Sequence, residues 1–88
     1  GEVGQHALHL LHRARTERLE AAEAAALRAL RGAERLYAQG LVGFLDRLQA
    51  EQDLLQVRIE LTGAREAEAL AVVGLHKALG AAVPGDRA

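Results

Sequence analysis

The chain has no cysteine, methionine or tryptophan, and only one proline, one tyrosine and one phenylalanine among its 88 residues. Without cysteine there is no disulfide framework, no thiolate metal site and no thiol nucleophile, and the redox compartment stays open. Serine is also absent, and threonine occurs only at Thr16 and Thr62. A hydroxyl-nucleophile triad therefore has almost no material. No apolar run approaches the roughly 18 residues that a membrane span needs. The 11 basic and 12 acidic residues are interspersed and leave a net charge of −1. With no basic face and no aromatic interleaving, nucleic acid is not an expected partner.

What is present favours helix. Half of the residues are hydrophobic and 26% are charged, the balance of a soluble, ordered chain. With so few aromatics, the core has to be built from Leu, Val, Ile and Ala, which suits helix-on-helix packing, and Ala, Leu, Arg and Glu are strong helix formers. A compact globule this small would be marginal. The chain begins with Gly1 rather than Met, which leads us to expect a piece of a longer protein.

The pattern predicts a first long helix over 1–39, a tip at 40–43, a second long helix over 44–80 and a flexible tail over 81–88. The first helix would be about 57 Å long at ~1.5 Å per residue. Gly40 can take the positive φ that ends a helix. Asp46 falls in the second helix's first turn, where its charge favours the positive dipole end. Leu8, His12, Arg15, Leu19, Ala22, Ala26, Ala29, Ala33 and Leu36 alternate spacings of four and three, as in a coiled-coil seam. Folded back at residues 41 and 42, the first eight of these meet Leu75, Ala71, Glu68, Ala64, Leu61, Val57, Leu54 and Ala50 in turn, mostly large against small. The expected fold class is all-α: a long antiparallel two-helix coiled-coil hairpin. Arg15 and Glu68 are the expected register pair across its seam. Leu45, Leu48, Leu55, Ile59 and Val73 on helix two, with Leu27, Leu30 and Tyr37 on helix one, form a second stripe that a lone hairpin leaves in water. Such patches mark interfaces.

Other constellations carry little chemistry. His6, His9 and His12 cannot converge on one metal, because the outer two are separated by about 240° of helix rotation. Glu17, Glu20 and Glu23 descend one side of one helix, whereas paired-carboxylate catalysis needs two groups facing across a cleft. The glycines at 40 and 43 have no strand before them and no Lys-Ser/Thr after them, so they form no phosphate loop. No enzyme activity, cofactor or metal is expected.

The stretch "ERLYAQGLVGFLDRLQAEQDLLQVRIELTGAREAEALAVVGLHKALGAA" closely resembles the C-terminal region of outer membrane factors of the TolC/NodT type, the exit ducts of bacterial tripartite efflux pumps. The resemblance lies in a Tyr three residues before a Gly-Leu turn, then Phe-Leu-Asp, then a Leu-Leu-Gln stretch and a closing Leu-His-Lys-Ala-Leu-Gly. It implies that the chain is the last periplasmic hairpin of an α-barrel protomer, a fragment of a larger homotrimeric duct in the outer membrane. It also implies that Gly40, Leu41, Val42 and Gly43 form the tip that docks the periplasmic adaptor, flanked by the polar Asp46 and Arg47, and that neighbouring helices cover the second stripe. Arg47, Glu51, Gln52, Glu68 and His76 depart from the family's usual residues. The chain has no transmembrane strand and no lipid-bearing Cys, so lipoprotein character, membrane contact and transport would belong to the parent protein. The alternative is a free-standing coiled-coil interaction module that dimerises into a four-helix bundle.

Overall fold

A computed structural model describes residues 1–82. The chain forms two helices, α1 (Glu2–Ala38) and α2 (Phe44–Ala82), which run antiparallel as a hairpin. The molecule measures 70 × 19 × 13 Å, so it is one helix layer thick. Its radius of gyration is 20.1 Å, against about 12 Å for a compact chain of this length. Gly80 does not end α2, which continues through it to Ala82. The remainder of the expected tail, 83–88, lies outside the described residues.

The seam on α2 is the expected one. Leu54, Leu61, Ala64 and Ala71 are buried, and Ala50, Val57, Glu68 and Leu75 are half-buried between them. Leu61 is the most enclosed, at 1% exposure. Burying a leucine of this kind stabilises the fold by about 1.5–3 kcal/mol.

The seam on α1 is half as expected and half displaced. His12, Leu19, Ala22, Ala26 and Ala33 face inward, but Leu8, Arg15, Ala29 and Leu36 are exposed. His9, Thr16, Glu23 and Leu30 take the inward places instead. The helix is thus turned by roughly 50°, half the ~100° between successive residues. The physical reason lies at positions 15 and 16. A guanidinium held in an apolar seam loses its hydration unless a partner repays it. A threonine can satisfy its own hydroxyl, and Thr16 Oγ1 donates to the carbonyl of His12 at 3.1 Å while only 4% exposed. Arg15 turns outward into an open groove shared with Arg18 and Glu60. Among the described residues, Arg15 and Glu68 form no ion pair. The pair that does bridge the helices is Glu23–Arg58, at 3.1 Å. This bridge, the Tyr37–Phe44 contact and the approach of Gln5 to Gly74 are all centred between residues 39 and 41, slightly before the expected fold-back point.

The longer unpartnered apolar stripe lies on α2, and α1 exposes Val3, Leu10 and Leu11 near its start. Leu45, Leu55, Ile59, Leu70 and Val73 are each about half to three-quarters exposed, on the side of α2 opposite the seam. Of the other residues expected in the stripe, Leu48 of α2 and Leu27 and Leu30 of α1 are half-buried, Leu30 joins the seam, and Tyr37 is exposed near the turn.

Candidate functional site: the hairpin tip

The tip is built by two complementary helix ends. Gly40 has φ +72°, the only positive φ among the described residues. That angle reverses the chain so that two otherwise unpaired carbonyls of α1 are answered. Gly40 N–H donates to Tyr37 O at 3.0 Å, and Leu41 N–H donates to Leu36 O at 2.9 Å. This pair of bonds is the Schellman motif. On the other side, Gly43 stands just before α2, and its N–H donates to Asp46 Oδ2 at 3.0 Å. Asp46 thus supplies the returning half of a capping box, with its charge also at the helix N-terminus. Of the five residues between the helices, Gln39, Gly40, Leu41 and Gly43 are each hydrogen-bonded through their backbone N–H, and the apex holds its form without any help from a partner.

The side chains around this frame are apolar outside and ionic beneath. Leu41, Phe44 and Leu45 are 68%, 57% and 75% exposed. Val42, expected beside Leu41 at the apex, is half-buried. Tyr37 and Phe44 meet edge-on with ring centres 6.3 Å apart, a geometry worth about 0.5–1.5 kcal/mol beyond area burial. The Arg47 guanidinium carbon lies 5.5 Å from the Tyr37 ring centre. Arg47 Nε sits 3.5 Å from Glu51 Oε1 but makes no hydrogen bond there. Arg47 therefore braces the two helices together just below the turn. Asp46 serves as a cap. Neither is a free charge at the apex.

Of the residues expected at the site, Gly40, Leu41, Val42, Gly43, Asp46 and Arg47 do come together at the tip. Arg15 and Glu68 lie far down the hairpin and do not pair. Tyr37, Phe44 and Leu45 contribute to the same surface and were not expected there. A signal for two of them existed: the chain's only tyrosine and only phenylalanine flank the turn, seven residues apart.

At the other end of the hairpin, His9 and His12 are half-buried and His6 is exposed, and His9 Nδ1 is buried without a partner. No three His, Asp or Glu side chains gather as a metal would need among the described residues. No described helix is long and apolar enough to cross a membrane.

The fold and tip define a helical hairpin with a pre-ordered apolar apex and an uncovered apolar stripe along the outer side of α2. The chain matches no family model, no curated protein and no solved structure.

Proposed function

We propose that the chain is a periplasmic hairpin of an outer membrane efflux duct, resembling those of TolC/NodT-type proteins, and that it works by docking. Its tip would seat against the periplasmic adaptor, and its flanks would pack against neighbouring helices of a homotrimeric α-barrel. The observation that carries this reading is the arrangement of apolar faces on α2. Its seam and its exposed stripe lie on opposite sides, so a further helix added to the stripe would continue a single layer. That is the construction of a wall, in contrast to a bundle, where the apolar faces converge on one core. The outer side of α1 carries Val3 and Leu10, together with the exposed Ala14 and Ala21, which would let a neighbour approach there too. The apex fits docking because its backbone needs no ordering before contact. Burial of Leu41 by a partner would contribute ~1.5–3 kcal/mol at most.

The test is to locate the native product. An antibody against this segment should find, in fractionated cells of the source, an outer-membrane band several times larger than 9.4 kDa. In that parent protein, Leu41→Asp should abolish capture of the adaptor in a pull-down while leaving the trimer intact. A soluble band near 9.4 kDa would overturn the duct reading.

A second reading is a free-standing interaction module. It is supported by Gly63, a glycine in mid-helix with nothing within 4 Å of where its Cβ would stand. A glycine there costs about 1 kcal/mol relative to alanine, and no contact inside the hairpin requires it.

A further inference from the structure

We infer that a second copy of this chain covers the outer stripe of α2, with the two α2 helices antiparallel and crossing at Ile59. The inference deepens the second reading and rests on it. The duct reading is tested separately at the tip.

The argument starts from symmetry. A two-fold contact brings the same patch together with itself, so a helix that pairs antiparallel has to be complementary about its own midpoint. The stripe on α2 has this property. Leu45 and Val73 stand fourteen residues either side of Ile59, which places the apolar ends of one copy against those of the other. Nearer the centre, the stripe is uneven in size. Leu55 is 58% exposed, whereas Gly63 on the other side of Ile59 has open space around it. In knobs-into-holes packing a side chain enters a hole made by residues i, i+3, i+4 and i+7 of the facing helix. With the crossing at Ile59, Leu55 enters the hole formed by Ile59, Thr62, Gly63 and Glu66 of the other copy. The missing Cβ of Gly63 lets the backbones approach, which accounts for the otherwise costly glycine.

The polar residues agree. Gln52 falls opposite Glu66, a donor amide against a carboxylate, and Glu51 falls near Arg65. Arg58 lies close to its own symmetry mate, but Glu23 of its own chain already neutralises it at 3.1 Å. Glu60, on the other flank, sits beside Arg15 and Arg18 of its own chain. Area points the same way. The chain exposes 6371 Å², against about 5,000 Å² for a compact monomer of its mass. A standard interface removes about 800 Å² per partner, more than half of that excess. Because stripe and seam are on opposite sides of α2, the product is four helices in a row, with the two α1 helices outermost. A square four-helix bundle would need the two apolar faces to be adjacent.

Sedimentation equilibrium of the full chain should give twice the 9.4 kDa mass at micromolar concentration. Ile59→Asp should return it to a monomer with unchanged helicity, since Ile59 is 67% exposed within its own hairpin. Gly63→Gln separates association from folding: it should weaken the dimer at least tenfold while raising the melting temperature of the dissociated hairpin. Orientation is read with cysteines, which the chain lacks. A mixture of Leu45→Cys and Val73→Cys chains should oxidise to the mixed disulfide, and Leu45→Cys alone should not cross-link to itself. A monomer at all concentrations would overturn both the inference and the reading beneath it. A dimer indifferent to Ile59→Asp and Gly63→Gln, or one that cross-links through Leu45 alone, would overturn the inference and leave self-association standing.

Discussion

The two ends of the hairpin are held by different physics. At the turn, five local devices act within twelve residues: the positive φ of Gly40, the Schellman bonds, the Asp46 cap, the Tyr37–Phe44 edge contact and Arg47 over Tyr37. At the open end, α1 starts from Gly1 with no side-chain cap, Val3 is 85% exposed, and His9 Nδ1 is buried without a partner. Gly4 and Gly74 sit within the helices there and weaken both. The turn is closed by contacts between near neighbours in sequence, which carry little loop-closure entropy. The open end has only the seam, whose partners are some seventy residues apart and are brought together by everything between them. A hairpin of this kind zips from its turn and frays from its termini.

That contrast can be broken in graded ways. The largest effect is expected from Leu61→Ala, which empties the most enclosed site in the seam. It should cost about 2–5 kcal/mol by the usual large-to-small penalty. Hydrogen exchange should then quicken along both helices while the amides of Leu41 and Gly43 keep more protection than those beyond residue 70. Gly40→Ala attacks the turn itself. A side chain at φ +72° should cost about 1–2 kcal/mol in chemical denaturation, and the difference in exchange between the two ends should shrink. Asp46→Ala removes one cap and should cost about 0.5–1 kcal/mol, close to other capping losses. The smallest effect sharpens the contrast from the other side. At Gly74 an added Cβ would meet only Gln5 Oε1, at 3.2 Å, the movable end of a flexible side chain. Gly74→Ala should therefore stabilise the open end by about 0.5 kcal/mol through helix propensity, seen as slower exchange near residues 72–78 and no change at the tip.

Much of this was legible in the sequence, and what was not has identifiable causes. The α2 seam could be read because large apolar residues at 54, 57 and 61 recur with a heptad's spacing and continue through Ala64 and Ala71 opposite the small residues of α1. The α1 seam could be read only in part. Between Ala21 and Ala29 the residues are mostly alanine, so several rotations of the helix bury nearly equal areas and spacing alone does not choose among them. The choice was made at Arg15 and Thr16, by the hydration of a guanidinium against a hydroxyl that bonds its own backbone. The same rotation moved the interhelical ion pair from Arg15–Glu68 to Glu23–Arg58. At the tip, Gly40 announced the reversal, and Asp46 announced a helix start. The meeting of Tyr37 with Phe44 depended on the angle at which α2 leaves the turn, which no local pattern fixes.

The antiparallel layout also makes the molecule a gauge. Gly1 and Glu2 lie beside Ala78 and Ala81, so α1 begins and α2 finishes at the end away from the turn. Anything anchored at that end is held about 55 Å from the apex, the length of α1 at ~1.5 Å per residue. This reach can be altered without touching either end. Removing seven residues from each helix at matched positions preserves the phase of the seam and shortens the arm by about 10 Å. A process that depends on the apex meeting a surface at fixed distance would stop at that shortened length, whereas one that depends only on the chemistry of the apex would continue.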